Sequence, residues 1–553
     1  MSTDYQTLKF GCRPRAEYAD ALAPHPVVVV GAGPVGLAAA IDLAQRDVPV
    51  VLLDDDDTLA TGSRAICFAK RTLEILDRLG CGERIAQKGV GWNVGKVFLR
   101  DELIYAFDLL PDAGCQRPAF VNLQQYYVEG YLAERASELP NLDLRWRNRV
   151  TGIGQTADHV TLEVETPDGP YTLRARYVIA ADGSKSPLRA MMGLDSRGRT
   201  FKDRFLIADV KMSAPFPAER WFWFDPPFHR NQSVLLHRQP DGIWRIDFQL
   251  GWDADPVAEK APERVIPRVR ALLGPDAEFE LEWVSVYTFR CQRMDSFRHG
   301  RVLFAGDAAH GVSPFGARGA NSGVQDADNL AWKLALVLSG RAPDALLDTY
   351  ATEREFAADE NIRHSTRATD FITPKCAVSR TFRDATLELA RDCEFARGLV
   401  NSGRLSVPAV LADSPLNTAD RAGDAFDGAP VPGAVAIDAP VVARGEPGWL
   451  LQHVRGGFSG LWFGTIDDAQ ALVELTRDQA LPIAPVLVVP RAQGRAVPGV
   501  DVIEDVDGLA AQRYDARPGT FYLLRPDQHV CARMRSADAR AVRAALLRAI
   551  GAA

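Results

Sequence analysis

The 553-residue chain has no CxxC pair: Cys12, Cys67, Cys81, Cys115, Cys291, Cys376, Cys393 and Cys531 are scattered, and none stands at a zinc-ligand spacing. A disulfide scaffold, a thiol–disulfide exchanger and a zinc module are excluded, and reduced, independent thiols in a cytoplasmic protein are expected. No apolar run approaches the ~18–20 residues that span a bilayer, and the charged N-terminal stretch has no apolar core of signal-peptide length. Lys and Arg are nowhere concentrated into a block, and 64 basic against 72 acidic residues leave a net charge of -8. That is no footprint for a nucleic-acid binder. No internal repeat or low-complexity tract is visible. A small organic partner remains the expectation, with no nucleic acid, no membrane and no metal.

What is present is an ordinary globular composition, 47% hydrophobic and 25% charged, in a chain too long for one core. A polar extension, residues 1–26, carries Pro14, Pro24 and Pro26, and regular structure is expected from Val27. The run VVVVGAGPVGLAAAIDLAQRDVPVVLLDD then reads as strand, glycine turn, helix and strand. In RTLEILDRLG a helix is expected to stop at Gly80. Residues 91–120 turn strand-like, residues 122–139 return to helix, and Pro167-Asp168-Gly169 joins two strands. Between Leu206 and Phe289 the aromatic runs RWFWF, SVLLH, IWRIDFQL and FELEWVSVYTF predict a separate β-sheet layer. Helices follow to about Val400, then a Pro-, Asp-, Gly- and Ala-rich linker over 406–433. In 434–553 strands are expected at Leu450–Val454, Leu461–Phe463, Pro485–Val489 and Thr520–Leu524, with a helix over Ala537–Ile550.

Three motifs carry chemistry. Gly31, Gly33 and Gly36 form GxGxxG between a strand and a helix, the context of a dinucleotide pyrophosphate site. Asp54, at the end of the second strand, is placed to accept hydrogen bonds from a ribose, with Asp55 an alternative. A second acidic turn, Asp182-Gly183-Ser184, again follows a strand. The third motif, RVLFAGDAAHGVSPFGARGANSGVQDADNLAWKLAL, joins a strand, Asp307, a glycine-rich loop and a helix expected from about Asn321. Free N–H groups and the positive end of a helix dipole suit an electron-rich group there. Within that motif His310 reads as a loop-fixing hydrogen-bonder rather than a base.

In this order the motifs resemble those of the single-component FAD-dependent aromatic hydroxylases, flavoprotein monooxygenases of the para-hydroxybenzoate hydroxylase fold, over nearly the whole chain from Val27. The resemblance implies a mixed α/β and α+β protein. A Rossmann-like FAD-binding domain would be assembled from 27–90, 121–190 and 290–405, and a β-sheet substrate domain from 91–120 and 191–289. Residues 434–553 resemble the thioredoxin-like domain appended in the phenol and hydroxyphenylpropionate hydroxylase branch, a likeness carried by YDARPGTFYLLRPDQHVCAR. With Cys531 alone there, the implied role is structural or in a homodimer. Gly31, Gly33 and Gly36 would cradle the FAD pyrophosphate, Asp54 hold the adenosine ribose and Asp307 the ribityl chain. Asp182 belongs to the motif associated with FAD and the pyridine nucleotide. Arg64 and Gln125 would line the cofactor. The loop from Pro314 would pass the isoalloxazine, with Gly319, Ala320 and Asn321 offering N–H groups to it. Ala317 and Arg318 stand where many relatives have glycine and glutamine, leaving Arg318 as a charge partner of the flavin or a solvent-facing residue.

The implied reaction uses NADH or NADPH and O2 to hydroxylate a phenolic ring through a C4a-hydroperoxyflavin, in aromatic degradation. A larger polyketide-type ring is the alternative substrate. A flavin-dependent halogenase, or a non-catalytic FAD-binding protein, ranks lower: the halogenase segment GWxWxIP is matched only by Gly242-Ile243-Trp244-Arg245-Ile246. Candidates for orienting or deprotonating the ring are Arg220, Trp221, Trp223, His229, His237, Arg245, Tyr287 and Arg290. Tyr287 is preferred, because its strand leads back to the third motif. Alternation of Trp221 and Trp223 with Phe222 and Phe224 makes both faces of that strand apolar, so most of these aromatics are expected to pack a core.

Overall fold

The computed structural model describes the chain except residues 1–4, 6, 15–23, 63, 215, 401–404, 478 and 491–495. Four valines at Val27–Val30 form a strand buried on both faces, as a central parallel strand must be. It begins at His25, two residues earlier than expected, and Pro26 is tolerated near its start. The sheet runs in the order Arg298–His299, Val302–Phe304, Gly169–Ala180, His25–Val30, Val50–Leu53, Leu142–Arg145. Its four central neighbours are parallel. The hairpin of Val160–Thr166 on Gly169–Ala180 extends it at one end, as the turn residues predicted.

Helix Pro34–Gln45 is short-side-chained and buried almost throughout, which lets it lie against helix Gly319–Leu338 above the sheet. The amphipathic helix Lys70–Leu79 stops at Gly80, whose φ of +90° is the left-handed cap expected there. Among residues 1–26, those described include Tyr5, buried edge-on against Tyr131, and Phe10, stacked on Trp146 at 4.2 Å.

The predicted second layer is an eight-stranded sheet in the order His310–Gly311, Glu280–Met294, Ser196–Lys211, Ile243–Leu250, Ser233–Arg238, Arg220–Phe224, Val94–Leu99, Glu102–Asp108. Both of its faces are covered. Trp223, Val234, Leu236, Trp244, Ile246 and Phe248 pack one face with helix residues Val265 and Val269. Val97, Phe205, Phe222, Phe224, Leu235 and Phe289 face the other way, toward Phe315 and helix Leu346–Ile372.

The C-terminal region forms its own seven-stranded sheet. Leu450–His453, expected as a strand, is a 3-10 turn: the Asp438 carboxylate accepts from Leu451 N at 3.1 Å and Gln452 reaches back to Trp449 N, closing the chain locally. The stretch 406–433 has no helix or strand but is no free tether. Leu411 and Leu416 are buried, and Asp420 pairs with Arg533 at 2.7 Å. Among the described residues no helix is long and apolar enough to cross a membrane.

Candidate active site

Strands Val302–Phe304, Gly169–Ala180, His25–Val30 and Val50–Leu53 are adjacent and parallel, so their C-terminal ends bring Asp307, Asp182, Gly31 and Asp54 to one sheet edge. Gly31 has φ +104°, and a Cβ there would meet the Ala181 carbonyl at 2.5 Å. A Cβ on Gly36 would run into the Gly31 carbonyl, so these two glycines serve close packing. Gly33 differs: nothing lies within 4 Å of its Cβ position, and it starts helix Pro34–Gln45 with no side-chain cap. Helix Gly319–Leu338 also begins without a side-chain cap. Gly323 on that helix lies so close to Val35 and Gly306 that the two open helix N-termini share one cleft.

Asp54 accepts from Ala32 N at 2.5 Å and Asp56 N at 2.9 Å, and burial pushes its carboxyl up to about 6. Asp307 lines the cleft floor, open to solvent within it; the enclosing protein raises its pKa, with His310 and Arg64 pulling it down. Beneath it is a braced triad. Asp326 accepts from Gly306 N at 3.0 Å, His310 Nε2 at 2.7 Å and Arg354 Nε at 2.6 Å. Burial would raise the Asp326 carboxyl, but His310 and Arg354 hold it below the ordinary carboxylate range. Asp182 is occupied locally, taking Ser186 Oγ at 2.7 Å and Leu188 N at 2.9 Å at the start of a short helix.

Gln125 accepts from Ala65 N at 3.0 Å and donates to Glu129 at 2.7 Å, fastening the loop that carries the exposed Arg64 side chain. Asn321 ties Ala69 N, Cys67 O and Ala317 O into the head of its helix, which starts at Gly319, two residues before the expected Asn321. Pro314 is exposed, and Gly319 and Ala320 are partly so. Ala317 adopts φ +51°, a conformation that favours glycine. Arg318 does not face solvent: it is buried, and its Nη1 donates to Asn361 at 3.2 Å.

Facing this loop, the antiparallel register arranges the inner face of the second sheet in rows. Arg220, His237, Arg245, Asp209 and Trp283 form one; Phe222, Leu235, Asp247, Ile207 and Ser285 the next; Phe224, Ser233, Gln249, Phe205 and Tyr287 a third. Arg245 forks onto Asp209 at 2.8 and 2.7 Å and reaches Arg64 O at 3.3 Å, joining this face to the Arg64 loop. Burial, with Arg220 and Arg245 nearby, keeps His237 neutral, 4.0 Å from Cys67 Sγ. Asp247 was missed from sequence. It is the lone ionisable group of its row; burial pushes it up to about 7, with Asp209 raising it further and Arg245 and Arg220 opposing. Two charges at period two, in IWRIDFQL, were the available signal.

Tyr287 stands in an aromatic wall with Phe205 and Phe289, and burial and Asp247 lift its pKa well above the ordinary phenol value. His229 lies elsewhere, beside outward-facing Phe248, with Nε2 2.7 Å from Gln249 O. Trp221 and Trp223 also face outward. A cavity of about 1170 Å³ lies between helix Lys70–Leu79 and the C-terminal sheet; Asp328, Trp332, Ala335 and Leu336 from the far end of the third motif line it, but Gly31, Gly33, Asp54, Asp182, Asp307 and the Pro314–Asn321 loop do not.

Two uncapped helix N-termini, an open glycine between them and a solvent-facing aspartate fit a dinucleotide with an electron-rich ring, which is FAD. The model of the FAD binding domain family matches residues 25–365, and the chain belongs to the FAD-dependent aromatic hydroxylases of the para-hydroxybenzoate hydroxylase fold. It is 30% identical to the 3-(3-hydroxy-phenyl)propionate/3-hydroxycinnamic acid hydroxylase of Mycobacterium sp. (strain JLS), over 91% of this chain and 88% of that one. To the 6-methylpretetramide 4-monooxygenase of Streptomyces rimosus it is 32% identical, over 92% and 90%. The crystal structure of the flavin-dependent monooxygenase PieE in complex with FAD and substrate superposes with a TM-score of 0.81 at 22% identity, covering 96% of this chain and all of that one, a likeness of fold.

Proposed function

We propose that this flavoprotein monooxygenase hydroxylates a phenolic ring held between the Pro314–Asn321 loop and the inner face of the second sheet, in aromatic degradation. The observation that carries the reading is Asp247, a carboxylate raised to about 7 in a row with Phe222, Leu235 and Ile207 facing that loop. Gly33, Asp54, Asp307 and the helix start at Gly319–Asn321 would hold FAD, and Arg64 and Gln125 would shape its entrance. Bound FAD supplies the redox chemistry, accepting electrons from NADH or NADPH and activating O2.

Asp247 takes the proton of the ring hydroxyl, so that the electron pair left on oxygen enriches the carbons ortho and para to it. Tyr287, whose hydroxyl stays protonated, donates to that oxygen. Arg245 is held by Asp209 and keeps the Arg64 loop docked, while neutral His237 and the aromatic wall of Phe205, Phe289 and Phe315 exclude water. His229 is assigned a structural role, and so is Asp182, whose oxygens fix the turn beside Gly31. A larger polyketide-type ring is the second reading, favoured by the likeness to the Streptomyces rimosus enzyme.

In the C-terminal sheet, Phe458–Phe463 pairs parallel with Ile483–Val489 and antiparallel with Thr520–Leu524, which pairs with Val530–Met534. That order, with helices Ala469–Thr476 and Ala539–Ala549, supports a thioredoxin-like domain, and buried Cys531 without a partner thiol supports a structural one. Val378, Phe382 and Leu389, exposed on one helix, and neighbouring Phe395 support a homodimer. Light scattering on the purified protein tests that assembly. Scattered free cysteines, without a CxxC pair, support residence in the cytoplasm.

The hydroxylase reading is tested by adding phenols to the FAD-loaded enzyme with NADH or NADPH. Phenol-stimulated oxidation with a hydroxylated product is expected. No oxidation across a broad phenol panel would overturn it.

A further inference from the structure

Arg318 stands immediately before helix Gly319–Leu338, at the end that carries the positive pole of the helix. A cation is unfavourable there, yet this one is not turned out to solvent: Arg318 is only 3% exposed. Two residues with positive φ, Gly316 at +106° and Ala317 at +51°, turn the chain just ahead of it. Its Nη1 donates to Asn361 on helix Leu346–Ile372, and Asn361 donates to Ser322 Oγ at 3.2 Å, which holds the guanidinium against the first helical turn. A Cβ on Gly316 would stand 2.9 Å from Arg318 Nε, so the charge lies against the backbone of the Pro314–Asn321 loop.

The neighbouring elements add positive charge at the same place. Arg354 donates to Ser322 O at 3.3 Å and Ser322 Oγ at 3.2 Å, in that first turn. Asp326 faces Arg354 and His310 and is bonded to both. The other carboxylate at the helix start is Asp307, 3.9 Å from the Cβ position of Gly319, and burial favours its neutral form while His310 and Arg64 oppose that. Buried guanidinium charge cannot be shed by deprotonation, and in a site with little water it acts strongly on whatever gains charge beside it.

Resting on the placement of FAD at the Gly319–Asn321 helix start, we propose that Arg318 sets the reduction potential of the bound flavin, its charge favouring the reduced ring over the oxidised one across the loop backbone. The oxidised ring is neutral and gains little from a nearby cation. A hydride from the pyridine nucleotide brings two electrons and one proton, leaving NAD(P)+ and a reduced ring with one negative charge, which the cation and the helix dipole stabilise. Arg318 lies behind the loop, so it acts through the loop and is a positioning residue.

The test measures the midpoint potential of the FAD-loaded protein against a reference dye during slow anaerobic reduction, together with the affinity for oxidised FAD. No substrate enters it, so the result does not depend on which ring is hydroxylated. Arg318→Gln keeps a donor for Asn361 and loses the charge; Arg318→Lys keeps the charge and loses the fork. In Arg318→Gln the preference for reduced over oxidised FAD is expected to fall about tenfold, a drop of about 30 mV for a two-electron couple, with oxidised FAD bound as in the parent. Arg318→Lys should stay near the parent potential. The parent potential in Arg318→Gln, or an equal fall in both variants, would overturn the proposal, the second outcome making Arg318 a tie to Asn361 and nothing more. Arg318→Met, neutral and of similar length, repeats the measurement if Arg318→Gln fails to hold FAD, and loss of oxidised FAD from both neutral variants likewise makes the residue a structural tie. If Asp307→Ala weakens FAD binding while Arg318→Gln keeps the parent potential, Arg318 alone is misassigned; if neither variant changes anything, the placement of FAD at this helix start falls with it.

Discussion

Two buried sets of charge, each with two cations and two carboxylates, are built on opposite plans. At the junction with the C-terminal sheet, Glu353 accepts from Lys333 at 2.7 Å and Arg525 at 2.7 Å, and Arg525 also pairs with Asp527 at 2.5 Å. Asn329 and Trp332 add further donors, to Glu353 at 2.7 Å and to Asp527 at 3.1 Å. On the inner face of the second sheet, Arg245 and Asp209 pair, but Arg220 and Asp247 do not. The first set is complete without a ligand and locks helices Gly319–Leu338 and Leu346–Ile372 to the C-terminal turn. In the second, burial without pairing leaves one perturbed carboxylate for a substrate to use.

The largest effect expected from this contrast is in the complete set. Glu353→Ala leaves Lys333 and Arg525 buried without their shared carboxylate, a loss of about 3–5 kcal/mol. Burial alone would raise the Glu353 carboxyl, yet Arg525 and Lys333 hold it far below the ordinary range. A depressed carboxyl contributes stability above its unfolded pKa that is lost as pH falls, so the variant should differ most from the parent near neutrality. Urea unfolding at pH 7 and pH 4 measures this; an unchanged midpoint at pH 7 would break the comparison.

Asp247→Asn should behave in the reverse way, losing activity and not stability. Removal of a proton acceptor lowers kcat by about 10²–10³-fold. Because the folded pKa of Asp247 is raised to about 7, burying its charge costs stability increasingly from about pH 4 upward through 7. The Asn variant should therefore gain stability relative to the parent across that window and lose the limb of the kcat/KM profile that rises near pH 7. A variant that is less stable at pH 8 would place Asp247 with the structural set.

Asp307→Ala probes the cleft between the two sets. Its carboxylate is open to the cleft and its loop is braced independently by Asp326, His310 and Arg354, so FAD affinity should drop about tenfold while the unfolding midpoint barely moves. Equilibrium dialysis of FAD checks it, and an affinity equal to the parent's would refute the assignment.

What could be read from the chain and what could not divides along the same line. GxGxxG, the acidic turns and the Gly80 stop are contiguous, and each states its geometry within a few residues. The rows of the inner face are not contiguous: Arg220, His237, Arg245 and Asp209 meet only through the register of four strands. His229 and His237 read alike in sequence, yet one faces outward beside Phe248 and the other sits 4.0 Å from Cys67. Leu450–His453 failed because Asp438 and Gln452, not apolar alternation, decide that turn.

Tyr287, the residue preferred from sequence, is expected to give the smallest effect of those ranked here. Its strand does lead back to the third motif, through the pairing of Gln292 with Gly311, and its ring completes the wall with Phe205 and Phe289. But its hydroxyl is neutral, since burial and then Asp247 both oppose ionisation. A neutral donor is worth about 1 kcal/mol, which corresponds to about a fivefold change in rate. Tyr287→Phe keeps the ring, so kcat for hydroxylation should fall about fivefold with bound FAD unchanged, against the larger loss in Asp247→Asn. Single-turnover measurement of hydroxylated product decides it: unaltered turnover removes Tyr287 from the chemistry and leaves it as wall, while a loss as large as that of Asp247→Asn would mean that the hydroxyl and the carboxylate act as one unit.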